Sequence, residues 1–325
     1  MYPWLASTWQ QLSQQIEQNR VPHALLITGL PGIGKRALAN QLTERLLCET
    51  PNGDIACGTC RSCQLLQTGS HPDFRAIEPE EEGKAIKVDT MRSMLHFITL
   101  SSQYHHYKIV IIEPADAMNK SASNSLLKTL EEPAGDVVIM LITSRPASLP
   151  ATIRSRCQKL TLESPSQELA EQWLHEQRPD MEEIPLYLRL AQGSPSRAIE
   201  LFDENIAVIR REILADIEAL LNKQNDAISV ASSWQKMSEK TPVYWLRLAL
   251  LDMLRLRQAP ASTGIINIDL KERLQAIVNQ LDLTAVYNFV DFLNESMAAS
   301  TRISINPQLM LEDLLIRWSN IKRCK

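Results

Sequence analysis

An α/β domain built on a parallel sheet, with a phosphate-binding loop and an all-helical region after it, is the fold class this sequence predicts. Three observations predict it. Short apolar runs rich in β-branched residues alternate with stretches of helical periodicity through the first half of the chain. The first run, Ala24-Leu25-Leu26-Ile27, leads directly into Gly29-Leu30-Pro31-Gly32-Ile33-Gly34-Lys35, and a helical stretch follows. After Glu163-Ser164-Pro165 no convincing strand pattern recurs.

Taken in order, the stretch from Trp4 to Gln18 places Leu5, Trp9, Leu12 and Ile16 on one face and reads as an amphipathic helix. Arg20-Val21-Pro22-His23 is a turn, with His23 read as a hydrogen-bonded loop residue. The run Ala24–Ile27 is a buried strand, and Ala37 to Leu42 lies in the helix after the glycine-rich loop. Phe74 to Ile77 is a short strand, Glu78 to Lys84 a charged loop, and Asp89 a cap for a helix to about Leu100. Lys108-Ile109-Val110-Ile111-Ile112-Glu113 is a second buried strand. Asp116 then reads as the cap of a helix that Pro133 ends. Val137 to Thr143 is a third core strand and Gln158 to Leu162 a last one. Three short helices are expected at 167–177, 184–192 and 195–202, and longer ones at 206–222, 227–238, 242–258, 270–281, 284–299 and 307–321. The last has Asn306 as its cap and Pro307 in its first turn.

The glycine loop carries the first chemistry. A strand, a glycine-rich turn and a helix N-terminus aim backbone N–H groups at one point, where an anion is welcome. Gly29, Gly32, Gly34 and Lys35 fit a P-loop, so ATP is its candidate ligand. The position after the lysine should be Ser or Thr, to ligate magnesium, and here it is Arg36. Glu113 ends its strand where P-loop enzymes hold the metal, but Pro114 stands where a hydrolase would put the carboxylate that polarises water. Ligands of such sheets bind beyond the carboxyl ends of the strands, where the loop, Glu113 and Thr143 converge.

Cys48, Cys57, Cys60 and Cys63 form a C-x8-C-x2-C-x2-C set, four of six cysteines within 16 positions. Four thiolates with tight turns between them suit tetrahedral Zn2+, and a site closed by four protein ligands is structural rather than catalytic. His71, in Ser70-His71-Pro72-Asp73, is read as a loop residue beside it. The chain of 325 residues has 44% hydrophobic and 22% charged residues and a net charge of -4, which makes it by itself a poor candidate for tight binding to DNA phosphates. No apolar run approaches the roughly 18 residues of a membrane span, and the N-terminus lacks the pattern of a secretory signal. The thiols point to a reducing compartment.

These features, together with Asn124-Ser125-Leu126-Leu127-Lys128-Thr129-Leu130-Glu131-Glu132-Pro133, Ser155-Arg156-Cys157 and the opening Tyr2-Pro3-Trp4-Leu5, run through the whole chain. In this order the chain resembles the delta-prime family of bacterial DNA polymerase III clamp-loader subunits, which are AAA+ proteins. The resemblance implies an AAA+ module at 1–163 with a zinc module at 48–63, a helical lid at 164–204, and a helical collar at 205–325 that joins subunits into a ring of five. It implies a cytoplasmic, nucleoid-associated stator with no ATPase of its own, partnered by the gamma/tau motor subunits and the delta subunit. The assembled complex would place a sliding clamp on primer-template DNA, the nucleotidyltransferase activity residing in another subunit. It also implies that Arg156 acts in trans as an arginine finger on a neighbour's ATP. Spacing alone leaves Arg156 equally an exposed arginine at a helix end, with Arg154 as its competitor; Ser155 and Cys157 of the family motif decide for Arg156. Lys35 keeps nucleotide binding open, and an ATP-hydrolysing AAA+ motor is the alternative reading. The lid motif departs too: Gly193-Ser194-Pro195-Ser196-Arg197 has serine where the motors place an arginine, and Arg197 falls one position late.

Overall fold

The computed structural model describes residues 2–81, 83–104, 107–133, 135–237, 240–300 and 306–323. Two compact units emerge, Met1–Gln177 with Gly193–Arg197, and Arg178–Gln192 with Ala198–Lys325.

In the first unit a 3-10 turn, Pro3–Leu5, opens into α1 (Ala6–Glu17), so the expected first helix begins as a tighter turn led by Pro3. There follow β1 (Ala24–Thr28), α2 (Lys35–Leu47), α3 (Arg61–Gln67), β2 (Phe74–Ile77), α4 (Val88–Thr99) and β3 (Lys108–Ile112). Next come α5 (Lys120–Glu131), β4 (Val137–Thr143), α6 (Ala151–Arg154), β5 (Gln158–Thr161) and α7 (Gln167–Gln177). The five strands form one all-parallel sheet in the order β2-β3-β4-β1-β5. Ala24 to Thr28 runs in register with Ile139 to Thr143 on one side and, from Leu25, with Gln158 to Thr161 on the other.

The sheet is covered on both faces, which explains why its central strands read as unbroken apolar runs. Leu26, Val110, Ile112, Ile139 and Leu141 point to one face and meet Met91, Met94, Ala122 and Leu126 of α4 and α5. Leu25, Ile27, Ile109, Ile111, Met140 and Ile142 point to the other and meet Trp9, Leu38, Ala39 and Leu42 of α1 and α2. The alternation follows from the two-residue period of a strand. Each such leucine or isoleucine contributes about 1.5–3 kcal/mol through burial.

Two caps differ from the sequence reading. Asp116 does not cap α5; Asn119 does, its side chain accepting from Ala122 N–H at 2.8 Å. Asp89 lies inside the first turn of α4, paired with Arg92 at 2.9 Å, while the cap position is Lys87. His23 is hydrogen-bonded as expected, its Nε2 donating to Leu130 O at 3.1 Å.

The second unit is helical: α8 (Ile184–Leu190), the end of α9 (Pro195–Asp203), α10 (Ile206–Leu221), α11 (Ala227–Met237), α12 (Lys240–Gln258), α13 (Lys271–Asn279), α14 (Leu283–Ser300) and α15 (Pro307–Ser319). The expected end of one helix at Ser238 lies outside the described residues, as does Glu82 of the charged loop. Asn306 caps α15 by accepting from Gln308 N–H at 3.0 Å, with Pro307 next, as the sequence predicts. Fully buried Trp318 on α15 donates to Ile217 O of α10 at 2.9 Å, and Trp234 on α11 donates to Asp216 at 2.8 Å. Among the described residues no strand follows Thr161, and no helix is long and apolar enough to cross a membrane.

Candidate functional site

The glycine loop joins β1 to α2 as the sequence predicts, and what it holds is its own chain. Gly34 sits at the N-cap of α2 with φ 98°, and a Cβ there would come within 2.5 Å of the Tyr2 ring. Gly32 has φ 73°, and its Cβ would lie 2.7 Å from both Arg197 N and Ser194 Oγ. Only glycine tolerates both the left-handed backbone and these approaches. Trp4 Nε1 donates to Ile33 O at 2.9 Å, Tyr2 and Trp4 stack at 4.9 Å, and Trp173 of α7 meets both rings edge-on. The Tyr2 hydroxyl reaches Ser196 Oγ at 3.2 Å.

Lys35 is buried, and its ammonium donates to Gly29 O at 3.0 Å, Leu30 O at 2.6 Å and Ser144 Oγ at 2.8 Å. An ammonium has three protons, so these partners account for all of them. Burial lowers its pKa from the ordinary lysine value, against the pull of Glu113 and Asp116. Arg36, at the position where a magnesium-binding hydroxyl belongs, points at the acids instead. Its Nη1 donates to Glu113 Oε2 at 2.9 Å and to Glu78 Oε1 at 2.8 Å, and its Nε to Asn40 at 3.2 Å. Thr143 donates to Asp116 Oδ1 at 2.6 Å, and the guanidinium of Arg145 closes on the other oxygen at 2.9 Å. Sequence reading placed Gly29, Lys35, Glu113 and Thr143 at one end of the sheet. It missed Glu78, Ser144 and Asp116, which pair with Arg36, Lys35 and Thr143 across 42, 109 and 27 residues. A residue pattern cannot reveal such pairs, because only the register of β2, β3 and β4 brings them together. The residues present do not fit a nucleotide-bound magnesium ion, since a fixed cation stands at its place.

The four cysteines converge. Their sulfur atoms all lie within 4.8 Å of one another, near the spacing of about 3.8 Å that tetrahedral Zn–S bonds of ~2.3 Å imply. Cys48 and Cys63 are buried, Cys57 and Cys60 half-buried. Backbone N–H groups point at the sulfurs: Cys57 N to Cys48 Sγ at 3.2 Å, Cys60 N to Cys57 Sγ at 3.3 Å, and Cys63 N to Cys60 Sγ at 3.4 Å. Hydrogen bonds from the Thr50 side chain and then from the Thr59 and Cys60 backbone draw the Cys57 thiol down to about 5. Burial pushes Cys48 and Cys63 upward. The donor set fits a metal ion held by four sulfurs.

This module is tied down on three sides. Trp9 Nε1 donates to Asp54 Oδ2 at 3.2 Å and Arg45 Nε to Gly53 O at 3.0 Å. Ser62, fully buried on α3, donates to Leu47 O at 2.5 Å and meets His71 Nε2 at 2.8 Å, while His71 Nδ1 accepts from Asp73 N–H at 3.0 Å. With Nδ1 accepting, the neutral ring carries its proton on Nε2 and donates to Ser62. His71 is thus a buried loop residue bracing α3 against β2. Helix α3 went unread in the sequence because the cysteine spacing dominates that stretch.

Arg156 follows α6, one third exposed, with Cys157 packed against the core behind it and raised to about 11 by burial. Its Nε donates to Glu131 Oε1 at 2.7 Å, its Nη2 pairs with the same carboxylate, and its Nη1 donates to Thr152 O at 3.0 Å. Arg154, the last residue of α6, is exposed two positions earlier.

Residues 4–166 match the family described as DNA polymerase III, delta subunit, and residues 205–320 match its C-terminal family. The chain is 35% identical to DNA polymerase III subunit delta' of Pseudomonas aeruginosa, over 99% of this chain and 98% of that one. It is 33% identical to the delta' subunit of Escherichia coli, over 97% and 94% of the two chains. Among solved structures, a gamma-subunit-related protein of Thermotoga maritima is 20% identical, with a TM-score of 0.49 over 97% of this chain and 99% of that one. With a full-length match to such relatives and family models over both its sheet-bearing and helical parts, this chain belongs to the DNA polymerase III delta' subunit family.

Proposed function

We propose that this chain is a non-hydrolysing stator of the polymerase III clamp loader that lends Arg156 to the ATP site of the neighbouring subunit. The observation that carries the first half is Arg36 Nη1 at 2.9 Å from Glu113. A resident guanidinium neutralises the carboxylate that would hold magnesium, and Pro114 supplies no base. Lys35 spends its protons on the chain's own oxygens. The machinery of turnover is thereby satisfied internally. This disfavours the alternative of an ATP-hydrolysing motor, which Lys35 alone supports.

The second half rests on Arg156, whose guanidinium is held at the surface after α6. A guanidinium delivered across an interface neutralises charge on the transferring phosphoryl group, an effect worth 10³-fold or more in rate. In this reading the chain divides into an AAA+ module (1–163), a lid (164–204) and a collar (205–325). The collar meets the gamma/tau motors and the delta subunit in a five-membered cytoplasmic ring at the replisome. That ring, rather than this acidic chain, brings the sliding clamp to primer-template DNA. The metal at Cys48, Cys57, Cys60 and Cys63 is Zn2+, and it supplies rigidity rather than chemistry, because four sulfurs leave no position for substrate.

The test is twofold. Purified chain alone should turn over no ATP beyond background, and Lys35→Ala should change nothing; turnover abolished by Lys35→Ala would establish the motor instead. In the reconstituted complex, Arg156→Ala should lower ATP hydrolysis while the variant folds normally; undiminished hydrolysis would refute the trans role.

A further inference from the structure

We infer that Glu131 is the positioning residue of the arginine finger: it sets the rotamer of Arg156 and leaves an N–H on each terminal nitrogen for a neighbour's phosphoryl oxygens. The inference rests on the trans reading of Arg156 given above. The geometry is specific. Glu131 takes Nε–H and one Nη2–H of Arg156 through a single oxygen, and Thr152 O takes one N–H of Nη1. A guanidinium has five N–H donors, so one remains on each terminal nitrogen. These two sit on nitrogens bonded to one carbon of a planar group, where each can donate to an oxygen of a phosphoryl group.

The placement of Glu131 is poorly explained by stability. It is the last residue of α5, where the helix dipole disfavours a carboxylate. Half of its side chain is exposed and so is a third of that of Arg156, and ion pairs at such sites add little to folding. What the contact does accomplish is entropic. A free arginine side chain samples many rotamers, and one already fixed by three hydrogen bonds loses less on meeting its target. The platform beneath is stiff: α5 buries Ala122, Leu126 and Leu130 against the sheet, and α6 buries Ile153 in the same cluster. Glu131 and Thr152 are therefore anchored independently of Arg156 itself.

The experiment uses the reconstituted clamp loader carrying Glu131→Ala, Glu131→Gln, Arg156→Ala, or Glu131→Ala with Arg156→Ala. Steady-state ATPase with clamp and primed DNA gives kcat and KM for ATP, and thermal melting of each purified subunit reports its fold. Glu131→Ala should lower kcat roughly threefold or more with KM within about twofold, because positioning acts on the transition state rather than on nucleotide binding. Glu131→Gln, which keeps shape and one acceptor oxygen but no charge, should fall between Glu131→Ala and the parent, and it serves if the alanine variant folds poorly. The double variant should equal Arg156→Ala alone, since a residue acting only through Arg156 has nothing left to position. Loss with Arg156→Ala but none with either Glu131 variant would overturn the inference and leave the finger standing. A double variant worse than Arg156→Ala by the full factor of Glu131→Ala would overturn it too, as would a rise in kcat. No effect of Arg156→Ala would instead remove the reading on which it rests.

Discussion

Arg36 holds the place of a divalent cation, and replacing it with serine tests that directly. The ion pairs lost are modest. Arg36 is 33% exposed, Glu113 28% and Glu78 56%, so solvent screens them and together they contribute about 1 kcal/mol. The melting temperature of Arg36→Ser should therefore drop by only about 2–4 °C. The repulsion removed is larger. A dication about 4 Å from a guanidinium is disfavoured by about 2 kcal/mol even with the screening of bulk water, roughly thirtyfold in affinity. Arg36→Ser thus supplies the missing hydroxyl and releases Glu113 in one step. The assay is thermal shift with ATP or ADP, with Mg2+ present or chelated. The parent chain should show no stabilisation that depends on Mg2+, whereas Arg36→Ser should acquire one that grows with nucleotide concentration. Hydrolysis should stay absent in both, because position 114 remains proline. A melting temperature of the parent chain that rises with nucleotide only when Mg2+ is present would refute the reasoning, since it would mean that a metal enters despite the guanidinium.

Three further outcomes follow from the same geometry. The purified chain should carry one equivalent of zinc by elemental analysis, and Cys60→Ser or a strong chelator should lower its melting temperature and alter Trp9 emission through Asp54, 3.2 Å from its indole nitrogen; full stability without metal would contradict this. Gly34→Ala should destabilise by about 2–4 kcal/mol in denaturant titration, from a left-handed backbone and a Cβ 2.5 Å from Tyr2, and a neutral effect would show the aromatic clasp to be slack. Arg156→Ala should leave the melting curve of the isolated chain within about 1 °C of the parent while depressing ATPase of the assembled complex, because its ion pair is exposed; parallel losses of stability and activity would point to a structural role.

Much of the fold was legible because buried parallel strands announce themselves. Phe74–Ile77 and Val137–Thr143 match their sequence readings end to end, and Ala24–Thr28 extends its own by one residue. Local capping was less legible where two short acceptors compete. Asp116 and Asn119 both precede α5, and the choice fell to Thr143 and Arg145, which take Asp116 from across the sheet edge. The convergence of the four cysteines was legible in spacing, since their sulfurs come from one short segment. The self-satisfied loop was not. Arg36 meets Glu78 and Glu113 across 42 and 77 residues, and Lys35 meets Ser144 across 109. The sequence announced that a hydroxyl was missing at position 36; what had taken its place needed the third dimension. Glu131 lay in plain view within a motif, yet its partner stands 25 residues downstream.

Because Gly32 and Gly34 each admit a neighbouring segment of the same polypeptide where a methyl group would collide, the glycines of this turn have a reason to exist that owes nothing to ATP. Packing alone obliges the turn to keep the outline of the motif, as a keyhole survives when the lock behind it becomes a hinge. On the reading proposed above, the glycine signature of this turn reports the seating of an internal aromatic rather than turnover.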